Sequence, residues 1–155
     1  MIIQTERLVL RPFEKNDIKW YYDLVQDEEL KKRLPSLVVD NVQQAIIDVE
    51  LFIKGDCIND FYYVIMDKAN NVLGIIIAVR ITNITIDVSY FLNREHRHNG
   101  YMHEAVENLL VVARKENPVY RFRMVIDDDN IESLNVVNKF GAVIKQQDNK
   151  YICNI

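Results

Sequence analysis

From Ile84 to Leu92 the chain alternates strictly: Ile84, Ile86, Val88, Tyr90 and Leu92 share one face, and Thr85, Asp87, Ser89 and Phe91 share the other. That is the period of a β-strand. Past Asn93 the alternation stops, and from Gly100 the apolar residues Tyr101, Ala105, Leu109 and Val112 follow helical spacing until Pro118, with Glu104, Glu107, Arg114 and Lys115 between them. A strand, a short loop with a glycine and a periodic helix restrict fold and chemistry together. The start of a helix presents unpaired N–H groups and about half a positive charge. Glycine lets the backbone come close to an anion without a Cβ in the way, and Arg97 can add a fixed charge beside it. The competing reading is that Gly100 only shapes a tight turn and Arg97 is a solvated loop charge.

The remaining segments have recognisable periods. Arg7 to Arg11 alternates and is closed by Pro12, which predicts a first strand. Asn16 before Asp17 to Val25 predicts a capped helix, and a short helical turn follows from Glu28 to Arg33. Asp40 with Gln43 resembles a capping box opening a helix with Ile46, Val49, Phe52 and Ile53 as apolar positions, ending near Gly55. FYYVIMD from Phe61, the polar turn KANN and VLGIIIAVR predict a hairpin. After the long helix come a strand from Tyr120 to Ile126, an Asp127-Asp128-Asp129 loop, a helix from Ile131 to Phe140 stopped by Gly141, and strands Val143 to Gln146 and Tyr151 to Ile155. No repeat or Pro/Gly/Ser linker divides the chain, so residues 1–155 are expected to form a single mixed α/β (α+β) domain.

Composition narrows the function classes. With 155 residues, 49% hydrophobic and 27% charged, the chain has globular usage and the length for a real core. A net charge of -4 without a clustered Lys/Arg surface argues against nucleic-acid binding. No segment approaches the about 18 uninterrupted apolar residues of a membrane span, and no secretory h-region opens the chain, so no membrane partner and a cytoplasmic location are expected. Cys57 and Cys153 have neither disulfide-framework nor zinc spacing and are expected to be reduced and buried. His96, His98 and His103 invite a metal or acid/base reading, with Glu95 and Glu104 nearby, but the cluster lacks the ligand spacing of a metal set and is expected as loop and helix-surface residues; no metal is predicted. Asp127-Asp128-Asp129 is read as a solvated loop before a helix, and Trp20, Tyr21 and Tyr22 chiefly as core packing.

The string Tyr90-Phe91-Leu92-Asn93-Arg94-Glu95-His96-Arg97-His98-Asn99-Gly100-Tyr101-Met102-His103-Glu104-Ala105 resembles the GNAT family of N-acetyltransferases. That family's acetyl-CoA loop has the form Gln/Arg-x-x-Gly-x-Gly/Ala; Arg97, Gly100 and Met102 occupy its marked positions, and Tyr101, Glu104 and Ala105 match the helix that follows. Thr5 to Pro12, Asn130 with Ser133, and Lys139-Phe140-Gly141 are similar to the branch that includes the RimJ/RimL-like ribosomal-protein N-terminal acetyltransferases. The resemblance implies the GNAT fold: a mixed, mostly antiparallel twisted sheet with helices on both faces and a V-shaped cofactor cleft between central strands.

It also implies a function and a site. The activity would be transfer of an acetyl group from acetyl-CoA to a primary amine of a peptide N-terminus or a small molecule, and a homodimer through the terminal strands is a family habit. The backbones of Tyr90, Phe91 and Leu92 would align the pantetheine and acetyl group; N–H groups of Arg97, His98, Asn99, Gly100, Tyr101 and Met102 would hold the pyrophosphate; Asn130 and Ser133 would contact the far arm of the cofactor. Asp87 stands where many members carry a strand glutamate that acts as general base or positions a water. The alternative for Asp87 is a solvent-facing acid on a half-exposed strand. Val137 replaces the family's general-acid tyrosine, leaving Tyr151 as a substitute, and Met102 and His98 replace smaller residues. These departures keep a second reading open, a catalytically weak or inactive acyl-CoA-binding module; a plain interaction domain ranks third.

Overall fold

The computed structural model describes residues 1–55 and 60–155, and Cys57 lies outside them. The described elements run β1 (Ile3–Gln4), β2 (Leu8–Pro12), α1 (Ile18–Leu24), α2 (Glu28–Arg33), α3 (Val42–Lys54), β3 (Phe61–Asp67), β4 (Val72–Arg80), β5 (Thr85–Leu92), α4 (Tyr101–Glu116), β6 (Arg121–Asp127), α5 (Ile131–Asn138), β7 (Val143–Gln147) and β8 (Lys150–Asn154). The strands join into one sheet in the order β1-β2-β3-β4-β5-β6-β8-β7. Every neighbouring pair is antiparallel except β5 and β6, which are parallel and linked by α4. This is the mixed, mostly antiparallel α/β architecture expected.

Alternation along the strands divides the core in two. Leu8, Leu10, Ile76, Ile86, Val88 and Leu92 pack with Met102, Ala105, Leu109 and Val137 of α4 and α5 on one side of the sheet. Val64, Ile75, Ile77 and Phe91 pack with Tyr21, Leu24, Leu30, Ala45 and Val49 of α1–α3 on the other. Ile86 and Phe91, at opposite parities in β5, thus serve different helices. Tyr21 is fully buried, its hydroxyl donating to Asp48 at 2.9 Å, while Trp20 and Tyr22 are half-buried against the second core.

Local chemistry moved some boundaries. Asn41, not Asp40, caps α3, accepting the Gln44 N–H at 3.0 Å while the Gln44 side chain accepts from the Asp40 N–H. The box sits one residue later because this phase turns Ala45 and Val49 inward; Ile53, expected among the apolar positions, is exposed. Asn16 does not cap α1: it lies in a 3-10 turn, Lys15–Asp17, and Asp17 is drawn inward by two 2.7 Å bonds from Arg11. On α4 the buried stripe is Met102, Ala105, Val106, Leu109, Leu110 and Ala113, so Tyr101 and Val112 flank it. β1 escaped the sequence reading because two residues carry no period.

Gly74 lets β4 approach β5 at the bulge where Ile65 pairs Gly74 but Met66 pairs Val72. A Cβ there would lie 2.1 Å from the Phe91 carbonyl oxygen and 2.9 Å from the Leu92 Cα. Since both are backbone atoms, Gly74→Ala forces the strands apart and is expected to destabilise by about 3 kcal/mol. Denaturant unfolding measures it; an unchanged midpoint would show slack between these strands that the contact distances deny.

Candidate functional site

β5 and β6 pair through only three registers, Thr85 with Arg121, Ile86 with Phe122 and Asp87 with Arg123. Beyond them β5 continues with β4 up to Leu92 and β6 continues with β8 up to Asp127. The strands therefore part like a V, and among the described residues the β5 edge from Val88 to Leu92 has no ladder partner on the β6 side. A cavity of about 470 Å3 lies along the Tyr90–Leu92 end of this edge, within the usual range for a small-molecule site. Its walls include Tyr90, Phe91 and Leu92 of β5, Glu29 and Arg33 of α2, Arg97 to His103 except Asn99, residues of α5 such as Ser133, and the residues flanking that helix, Asn130 and Lys139.

One end of the cavity is the start of α4. The first intrahelical bond runs from the Glu104 N–H to Gly100, so the N–H groups of Tyr101, Met102 and His103 have no helical acceptor. No side chain caps this end, Gly100 being the cap residue at φ 76°. His98 also takes a left-handed φ, 61°, and its exposed ring lies 3.1 Å from Glu132 of α5. Met102, whose bulk threatened the loop, points into the core and is 6% exposed. Asn99 turns away from the cavity: its side-chain amide donates to the backbone carbonyls of Arg97 at 2.9 Å and His96 at 3.3 Å.

The Arg97 side chain is not a free charge. Its Nε donates to the Leu92 carbonyl at 3.0 Å, its Nη1 to Glu29, and its guanidinium lies 4.8 Å from the Phe91 ring centroid. Glu29 belongs to a tie across the V. From the same helix, Arg33 reaches Asp127 at 3.1 Å and also Asp129, and Lys32 reaches Asp129 at 2.6 Å. α2 thus grips the loop after β5 with one residue and the end of β6 with two others. Glu29 and Arg33 are four apart and share a helix face, while Leu30 is buried in the second core. Sequence reasoning passed over both, although that spacing within Glu28-Glu29-Leu30-Lys31-Lys32-Arg33 was the available signal.

An anionic ligand suits what is left unpaired. Arg33 Nε, Arg97 Nη2 and His103 Nδ1 all belong to cavity-lining residues, are shut off from solvent and have no partner among the described residues. Such atoms are costly to bury unless a ligand meets them. Together with the three free N–H groups of α4 they fit a phosphate-bearing cofactor.

Other candidates sit apart from the cavity or have structural duties. Asp87 is not in the lining; Arg123 donates to both its oxygens, at 2.5 Å each, in the last register before the strands part. Asn130 caps α5, accepting the Ser133 N–H at 3.2 Å, and the Ser133 carbonyl accepts the Tyr90 hydroxyl at 3.4 Å. Burial pushes that phenol up to about 12, so it stays protonated. Val137 is buried in the first core and Tyr151 packs against the same core outside the cavity wall. The histidines diverge: His96 lies by Glu95, His98 by Glu132, and His103 stacks on Phe140 at 4.5 Å. Cys153 is buried. Among the described residues no helix is long and apolar enough to cross a membrane.

The chain was compared with known proteins. The family model described as an acetyltransferase (GNAT) domain matches residues 7–143. An uncharacterized N-acetyltransferase, YnaD of Bacillus subtilis (strain 168), is 26% identical over 142 residues, covering 91% of this chain and 82% of that protein. Among solved structures, a GNAT-family acetyltransferase from Bacillus anthracis superposes with a TM-score of 0.86 at 21% identity, covering 100% of this chain and 98% of that one. A RimL ribosomal alpha-N-protein acetyltransferase, solved in complex with coenzyme A, has a TM-score of 0.85 at 18% identity, covering 100% and 97%. At these identities the two solved structures speak for the fold alone.

The α2 tie yields a pH dependence. Hydrogen bonds from Lys32 and Arg33 hold the Asp129 carboxyl at about 2, below its ordinary value. A lowered folded-state value stabilises above the unfolded value, about 3.9, and that contribution is lost as pH falls through about 2. Asp129→Asn is therefore expected to lower the thermal midpoint at pH 5 and to differ progressively less from the native chain as pH falls toward and below about 2; a constant difference across that range would place the effect elsewhere.

Proposed function

Because the chain belongs to the acetyltransferase (GNAT) domain family, we propose that it transfers an acetyl group from acetyl-CoA to a primary amine, carried by a peptide N-terminus or a small molecule. The observation that carries this reading is the unpaired β5 edge from Val88 to Leu92, running toward the uncapped start of α4. Acetyl-CoA supplies an activated thioester. The main chain of Tyr90, Phe91 and Leu92 offers strand-type hydrogen bonds along its pantetheine arm. The backbone of the Arg97–Met102 loop, chiefly Gly100, Tyr101 and Met102, receives the pyrophosphate, and Arg33 Nε and Arg97 Nη2 offer it two donors without other partners. Asn130 and Ser133 border the far arm.

Transfer requires a neutral amine and a route for its proton. Asp87 serves as the water-positioning acid at the vertex of the V. With both oxygens already bonded to Arg123, each keeps lone-pair room for one further donor, enough to orient a water but not to approach the amine directly. The second reading, an acyl-CoA-binding module with little or no turnover, draws on Val137 lying in the core and Tyr151 lying outside the cavity wall.

Calorimetric titration with acetyl-CoA tests the common ground of both readings: heat and a raised thermal midpoint are expected, and neither at saturation would end both. Thiol release over a panel of peptide and small-molecule amines separates them, with turnover expected. Asp87→Asn should lower turnover about a hundredfold with acetyl-CoA affinity nearly unchanged; an unaltered rate removes Asp87 from the reaction. Gly100→Val should weaken acetyl-CoA binding at least about tenfold, since a β-branched residue resists φ 76°. Undiminished affinity would mean that the pyrophosphate is held elsewhere.

A further inference from the structure

Arg7 lies between β1 and β2 and is not part of the cavity wall. It nevertheless touches the entry to α4 at several points. Its Nη1 donates to the Asn99 carbonyl at 2.8 Å, and its Nε donates to Glu104 Oε2 at 2.7 Å. Its own backbone N–H donates to Glu104 Oε1 at 2.8 Å, and the Thr5 hydroxyl donates to the same oxygen. The guanidinium lies 4.7 Å from the Tyr101 ring centroid, and its Nη2 is 3.5 Å from where a side chain on Gly100 would begin. One side chain thus braces three residues of the loop and first turn, Asn99, Tyr101 and Glu104, and passes beside Gly100.

The Asn99–Gly100 peptide gives this brace its consequence. A trans peptide is planar, with its C=O and N–H pointing in opposite directions. Drawing the Asn99 oxygen toward Arg7 therefore turns the Gly100 N–H the other way, and Gly100 itself lines the cavity. The charge on Arg7 is matched by Glu104. Burial alone would raise that carboxyl, but hydrogen bonds from Thr5 and Arg7 outweigh it and hold it below the ordinary range. Arg7 therefore works through geometry more than through its field.

We propose that Arg7 is a positioning residue for the cofactor's diphosphate: by holding the Asn99 carbonyl and Glu104 together, it aims the Gly100 N–H and the free N–H groups of α4 into the cleft. The proposal rests on the acetyl-CoA reading and adds to it a residue that the loop motif does not contain. A planar fork can serve the carbonyl and the carboxylate at once, whereas the single ammonium of lysine cannot hold the same geometry.

The test compares the native chain with Arg7→Lys and Arg7→Met, using CoA and pantetheine as probes, the second lacking the diphosphate. Amide chemical-shift titration reads both strong and millimolar affinities, and thermal unfolding checks that each variant is folded. Both variants should bind CoA at least about tenfold more weakly, the loss of one charge-assisted hydrogen bond, while pantetheine affinity stays the same. In the ligand-free variants the Gly100 and Tyr101 amide resonances should shift. Wild-type affinity for CoA in Arg7→Lys would overturn the geometric role, as would an equal loss for CoA and pantetheine. If the native chain itself fails to bind CoA, the acetyl-CoA reading falls, an outcome distinct from native binding that Arg7 variants share.

Discussion

Pairing between β5 and β6 stops after Asp87 and Arg123 because each strand stays with its outer partner, β4 on one side and β8 on the other. Strand amides cut off from water without partners are expensive, so a sheet does not open in its middle unless something compensates. Here the opening is fixed from both ends. The two-pronged Asp87–Arg123 bond closes its vertex, and the ion pairs of α2 with Arg97, Asp127 and Asp129 span its mouth. Between these points the geometry leaves a slot with one strand edge along its side and one helix start at its end.

Charge in the slot is incompletely paired among the described residues. Arg97 is held by Leu92, Phe91 and Glu29, yet among the described residues one of its nitrogens has no partner, and the same is true of Arg33, one turn along α2 from Glu29. The desolvation of these nitrogens has already been suffered by the fold. Glu29 competes for the same guanidinium, so the arginine is kept in place without a ligand.

Much of this was legible in the sequence, for a local reason. The change from period two to period three-and-a-half around Gly100 is written in consecutive residues, and it located β5, the loop and α4 together. Periods also gave the hairpin of β3 and β4 and the two faces of β5. What stayed hidden depends on partners far along the chain. Arg7 meets Glu104, Glu29 meets Arg97 and Arg33 meets Asp127, and no window of sequence contains both members of any pair. Side-chain direction was hidden too: Met102 looks obstructive beside Gly100 in the one-dimensional string, but helical phase sends it into the core with Ala105 and Val106. Asp87 could be placed on a strand face, while its capture by Arg123 required knowing which strand lies parallel to it.

A strand with one free edge is ordinarily a hazard, since it offers any other extended chain a place to add on and begin an aggregate. The Val88–Leu92 edge carries neither lysine nor proline. Its protection is cover by neighbouring elements. Its Tyr90–Leu92 end lines the cavity beside Glu29 and Arg33 of α2 and residues of α5, so helices cover this part of the edge. The helices that wall the cavity thus also shield part of this edge from another extended chain.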